Sequence, residues 1–167
     1  MPPSMTTTAH TRRIAVIMER APVAGRWGGV KWEPRGVVPD EAPPGAPAQV
    51  IVEHGETCQM LFPGLTVRLE RSEAEGYLLN ITSPQPRVFV LWRLEDGIGR
   101  PVMATVSYNE GTRWADSGEP ADSVPLPPDW LPWIGEFVEQ NYVPEQRKKK
   151  KRYASNTDRG VGGRWNG

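Results

Sequence analysis

Residues Leu65–Arg93 read LTVRLERSEAEGYLLNITSPQPRVFVLWR, and their alternation of apolar and polar side chains decides the fold class. Val67 and Leu69 point one way while Arg68 and Glu70 point the other; Val88, Val90 and Trp92 repeat the pattern, and Tyr77, Leu79 and Ile81 fit it as well. A period of two places successive side chains on opposite faces of a pleated strand, so the run predicts three strands. Ser72–Gly76 and Pro84-Gln85-Pro86 supply the turns between them.

The same pattern extends in both directions. Upstream, Arg13–Arg20 predicts a first strand ended by Ala21-Pro22, and Gly25–Gly29 is a turn. Val30–Glu33 opens a second strand that Pro34 interrupts and Arg35–Val38 resumes; proline donates no ladder hydrogen bond, which places this strand at an edge or a bulge. Pro39–Pro47 is a loop by composition, and Gln49–Glu53 and Thr57–Phe62 are strands joined by a turn at His54-Gly55-Glu56. Downstream, the Asp-Gly signal in Glu95–Gly99 predicts a hairpin leading to a last strand over Pro101–Ser107. Tyr108–Ser117 reads as a short helix or a loop, and Pro120–Pro132 as loop. Asp129 then serves as N-cap of a helix over 130–141, with Trp130, Trp133, Ile134, Phe137, Val138 and Tyr142 on one face. The resulting fold class is mainly β (α+β): an antiparallel barrel or sandwich of about seven short strands closed by one C-terminal amphipathic helix.

A chain of 167 residues has room for one domain with tails. The reading is a disordered leader at 1–11, a single β-rich domain at 12–144 and a disordered basic tail at 145–167. The net charge of zero conceals a division: from Glu145 to Gly167 eight Lys/Arg stand against two acids, a net of +6, so the other 144 residues carry −6. The longest apolar run near the start is the five residues of IAVIM, Ile14–Met18, far short of the roughly 18 that a membrane span needs. With a single cysteine, Cys58, no internal disulfide forms, and cytoplasm is the expected compartment.

No arrangement of residues predicts catalysis. Glu70, Glu73 and Glu75 cluster in and beside a polar turn, where water screens them, so a solvated surface is expected. His54 and Cys58 have H-x3-C spacing, but the shortage of further ligands argues against zinc, and Cys58 reads as a small core residue. Phosphate-binding glycine loops are missing. No catalytic residue, metal site or cofactor is therefore expected. The run Arg147–Arg152, RKKKKR, reads as a solvated tail, as an electrostatic arm for an acidic protein surface or as a nucleic-acid patch; the acidic body repels DNA and disfavours the last. Trp92, Trp130 and Trp133 fit the core, whereas Trp27, Trp32 and Trp114 sit near turns and suit a protein-binding surface, with core packing expected for at least one of these three. The candidate partner-binding residues are Trp27, Trp32, Arg113, Trp114, Lys148, Lys149, Lys150 and Lys151.

Several segments carry a family resemblance: Ile17-Met18-Glu19-Arg20 with Pro22-Val23, Trp27 and Trp32-Glu33, then Glu73-Ala74-Glu75-Gly76-Tyr77 with Leu79-Asn80. It continues through Ser83-Pro84 and Pro86, Val88-Phe89-Val90 with Trp92-Arg93, Val106-Ser107-Tyr108-Asn109-Glu110, Arg113-Trp114 and Tyr142-x-Pro144-Glu145 ahead of the lysine run. In these the chain resembles an uncharacterised bacterial family, domain of unknown function 3305, over nearly all of 13–152. The resemblance implies genes encoded beside molybdenum- or tungsten-containing formate dehydrogenases, and for some members a link to molybdopterin-guanine dinucleotide biosynthesis. It supplies no active-site residues. The leading expectation is a non-catalytic accessory or assembly protein of a formate dehydrogenase system, binding a dehydrogenase subunit or maturation factor. The alternatives are a carrier, insertion or biosynthesis role for the molybdenum cofactor, which would need Arg26, Arg35, Arg93 and Arg113 to converge in one pocket, and nucleic-acid binding through the tail.

Overall fold

A computed structural model describes residues 7–8, 10–26 and 28–143. Among them are two antiparallel sheets and three helices. The first sheet contains β1 (Thr7–Thr8), β2 (Thr11–Pro22), β3 (Val30–Pro39), β4 (Gln49–His54) and β5 (Thr57–Arg68). β2 lies at its centre, with β5 and then β4 on one side and β1 and β3 sharing the other. The second sheet contains β6 (Arg87–Glu95), β7 (Ile98–Thr105) and β8 (Ala121–Pro125), in the order β7-β6-β8. The sheets do not close into a barrel; the arrangement is sandwich-like.

The core is built from the residues whose alternation marks the strands. Ile14, Val16 and Met18 of β2, Phe62 and Val67 of β5, Val88 and Val90 of β6 and Val124 of β8 form one buried cluster. β3 has the edge position that Pro34 requires, and Pro34 lies opposite Met18 beside a register shift. The strands expected at Thr57–Phe62 and from Leu65 are one strand. Pro63 and Gly64 form a bulge within it, since Phe62 lies opposite Val16 and Leu65 opposite Ile14. The backbone N–H of Gly64 (φ 95°) donates to Asp40 Oδ2 at 2.9 Å. Asp40 also accepts from Arg13 Nη2 (3.0 Å) and the Ala42 N–H (2.9 Å), so a buried carboxylate ties the Pro39–Pro47 loop to β2 and β5.

Several expectations change, and the choice between helix and loop after Ser107 is settled. The stretch Tyr77–Ile81 is not a strand but part of helix α1 (Ala74–Ile81), which follows a 3-10 turn at Arg71–Glu73. Its buried side chains Ala74, Tyr77 and Asn80 recur every three residues, and Leu79 faces outward. Tyr108–Asp116 is helix α2, which Gly111 permits because its bare Cα lies directly on the Phe89 ring. The expected Pro120–Pro132 loop contains β8, an edge strand that accommodates Pro125 at its end. The C-terminal helix α3 (Leu131–Asn141) forms as expected, but a 3-10 turn at Pro128–Trp130 precedes it and Asp129 does not cap it. The helices therefore number three instead of one. β1 lies within the expected leader and pairs with Thr11 and Arg12. The 145–167 tail lies outside the described residues.

α3 buries Ile134, Phe137 and Val138, and the Phe137 ring meets Tyr77 edge-on at 5.8 Å, locking α3 to α1. The Tyr77 hydroxyl accepts from the Glu70 N–H (2.8 Å), and burial pushes its pKa well above the ordinary tyrosine value despite that bond. At the far end Trp32 joins the sheets. Only 5% exposed, it donates from Nε1 to the Gly97 carbonyl (3.1 Å) and packs against Gly99, where a Cβ would approach its own Cβ to 2.7 Å. Asp96 and Gly97, both at positive φ, form the turn that presents that carbonyl. Removing the ring leaves a cavity between sheets that cannot collapse without moving the hairpin. Trp32→Ala should cost about 3–5 kcal/mol of stability, measured by urea unfolding, and a loss below about 1 kcal/mol would contradict this role.

Candidate functional site

The motif-rich segments after Glu70 meet at one place. Asn80, on the last turn of α1 and 1% exposed, donates from Nδ2 to the carbonyls of Arg87 (2.8 Å) and Val106 (2.9 Å) and accepts from the Arg87 N–H at Oδ1 (2.9 Å). Because the partners are two carbonyls and one N–H, a single orientation of the amide satisfies them all. Asn80 thus pins α1 to the start of β6 and to the segment entering α2.

A second cluster fixes the helices to each other. Ser107, fully buried, caps α2 by accepting from the Glu110 N–H (3.1 Å) and donates to Glu73 Oε1 (2.6 Å). Glu73 Oε2 accepts from Arg113 Nη2 at 2.7 Å, and this hydrogen bond raises the already high pKa of Arg113. Any Cβ at Gly76 would collide with Ser107 Oγ, so the glycine allows α1 and α2 to approach this closely. Glu73 is accordingly not the solvated carboxylate expected from its turn: its side chain is 17% exposed and joins two helices.

These locks hold open a groove of about 680 Å³ on the outer face of the second sheet. Arg87 and Phe89 of β6 and Ser123 of β8, which pairs with Phe89 across the strands, form its floor. Leu79 of α1 and Pro84 form one wall and Tyr108 of α2 the other. Leu79 is 45% and Tyr108 50% exposed, and the Phe89 and Tyr108 rings meet edge-on at 6.2 Å. Arg87 donates from Nε to Ser123 Oγ (2.9 Å) and from Nη2 to the Ser123 carbonyl (3.0 Å), which orients the guanidinium. A smaller concavity of about 320 Å³ shares Phe89 and Ser123 and continues along α2 past Thr112 and Ala115. Sequence reasoning did not single out Arg87, Phe89, Tyr108 or Ser123 as site residues. One signal was available: Phe89 is an aromatic facing away from the core between two core valines.

Three of the residues singled out for partner binding lie among the described residues. Trp32 fills the core and is the one of its three tryptophans that packing claims outright. Arg113 is exposed and paired with Glu73, while Trp114 is half-buried on α2. Trp27 and Lys148, Lys149, Lys150 and Lys151 lie outside the described residues. Of the arginines a pterin phosphate would need, Arg35 pairs with Glu19 and Glu33, Arg93 with Glu119 and Arg113 with Glu73, each on a different element. Cys58 is buried and His54 exposed at the β4–β5 hairpin. Among the described residues no three His, Cys, Asp or Glu side chains group to hold a metal ion, and no helix is long and apolar enough to cross a membrane.

Residues 13–152 match the family model described as "Protein of unknown function (DUF3305)". The chain belongs to this family. The match covers β2 from Arg13 onward, every later strand, all three helices and the groove. The chain has no match among the curated proteins or the solved structures.

Asn80→Asp isolates the role of the amide, because a carboxylate of the same shape faces two carbonyls with no proton to donate. It should destabilise the fold by about 3 kcal/mol or more at neutral pH. Protonation restores one donor, so the folded state raises the new carboxyl's pKa above its unfolded value of about 3.9. Stability of the variant is then greatest below that value and is lost as pH rises through the folded pKa. Urea unfolding at pH 4 and pH 8, beside the native chain, reads both effects; equal deficits at the two pH values would contradict the assignment.

Proposed function

We propose that this protein is a non-catalytic accessory or assembly protein of a formate dehydrogenase system, acting by holding a segment of another protein. The observation that carries the binding part is the groove: apolar side chains left exposed on two walls, Leu79 on α1 and Tyr108 on α2, above an oriented guanidinium on β6. Exposed aromatic and aliphatic groups around a fixed polar anchor are what protein recognition uses, since their burial supplies affinity and the anchor supplies register. The choice of partner, a dehydrogenase subunit or a maturation factor, rests on the setting beside formate dehydrogenases that the family resemblance implies. The lysine run Lys148–Lys151 offers such a partner a second, salt-sensitive contact if its surface is acidic.

Affinity capture with the tagged full-length chain, in cells producing a formate dehydrogenase, tests the proposal. A dehydrogenase subunit or maturation factor should be recovered at low salt and depleted in a high-salt wash. Recovery of neither at either salt concentration would contradict it.

A further inference from the structure

Among the described residues Arg87 is the only charged one lining the groove itself; Asp122 lines the adjoining concavity, where its carboxylate accepts from Trp92 Nε1 at 2.8 Å, so the positive end of the trough is at Arg87. Arg13, Arg35, Arg93, Arg100 and Arg113 each have a carboxylate within 4 Å, whereas the side-chain partners of Arg87 among the described residues are the uncharged oxygens of Ser123; Arg20 and Arg71 also bond uncharged oxygens, but neither lines the groove. A half-buried guanidinium without a counterion has lost hydration and gained no opposite charge, so it favours an incoming anion more strongly than an exposed arginine does. Nε and Nη2 are held on Ser123, which leaves Nη1 with two N–H donors and little orientational freedom to lose on binding.

The apolar part of the site lies next to this charge. Leu79, Phe89 and Tyr108 present a cleft with one aromatic ring on its floor and another on its wall. The adjoining concavity prolongs it along α2 from Tyr108 to Ala115, roughly 10 Å at 1.5 Å per residue, the length of about three extended residues. An elongated, open trough suits a length of chain better than a compact ligand, which would leave most of it in water. The chain's own Arg147–Arg152 segment has the same sign of charge as Arg87 and is the wrong occupant.

We infer that the groove binds an extended segment of a partner protein in which an Asp or Glu side chain lies within two residues of a large apolar or aromatic residue. The carboxylate pairs with Nη1 of Arg87, and the apolar residue enters between Leu79, Phe89 and Tyr108. This rests on the reading that the protein holds another protein, and it names the chemistry of what is held.

Panning the full-length chain against phage-displayed random heptapeptides tests it. Enriched sequences should combine Asp or Glu with Phe, Trp, Leu or Ile at that spacing. A synthetic peptide of the enriched sequence should bind at least tenfold more weakly to Arg87→Gln and to Tyr108→Ala, and equally well to Arg93→Gln, whose arginine lies outside the groove. Replacing the peptide's acid by its amide should cost the same factor. Tyr108→Ala keeps the assay decisive if Arg87→Gln unfolds, because Tyr108 is exposed and the cap at Ser107 remains. Enrichment of nothing, of peptides without an acid, or of peptides indifferent to both groove variants would overturn the inference. Peptide binding that obeys these rules, alongside a capture experiment that recovers no dehydrogenase protein, would keep the groove and remove the formate dehydrogenase assignment.

Discussion

A single buried amide, that of Asn80, joins three separately formed pieces of the chain: the end of α1, the first residue of β6 and the segment between β7 and α2. Each partner is a backbone group at the margin of a regular element, where the ladder or helix no longer satisfies it. Left unpaired in the interior, such groups carry a cost of about 1–3 kcal/mol each. One side chain satisfies all of them and in doing so sets where α1 stands over the second sheet. The walls of the groove follow from that placement, because Leu79 is on the same helix and Arg87 is itself a partner of the amide.

Around this lock the other motif residues also serve as scaffold. Glu73, Gly76 and Ser107 bring α1 and α2 into contact through a short hydrogen bond and a missing side chain, and Tyr77 satisfies the backbone at the end of β5. The motif EAEGYLLN buries Ala74, Gly76, Tyr77 and Asn80 and SYNE buries Ser107, while their other residues are partly buried apart from Leu79 and Tyr108. What they leave outside, Leu79 and Tyr108, is what faces the groove. A polar motif in this chain therefore signals a buried network first and a surface second.

Strands that bury one face were legible from sequence because a period of two is written directly in the residue types, as in Ile14–Met18 and Val88–Trp92. The α1 segment was misread because its buried stripe includes Asn80. Counted as polar, it hides the three-residue period and leaves Tyr77, Leu79 and Ile81 to imitate a strand. The Ser107-x-x-Glu110 spacing is that of a helix start and would have settled the doubt over Tyr108–Asp116. β8 was hidden by its prolines, which an edge strand tolerates. The site was not legible, since its floor joins β6 to β8 across 36 residues, from Arg87 to Ser123, and nothing local announces that pairing.

Amide hydrogen exchange at Arg87 tests the central claim most directly. The first residue of a strand ordinarily frays, but the Arg87 N–H donates to Asn80 Oδ1 at 2.9 Å inside a fully paired network. The account predicts that this amide exchanges only through global unfolding, as slowly as those of Val88 and Val90 in the core. Exchange at the rate of a frayed strand end, with the core amides still protected, would contradict it.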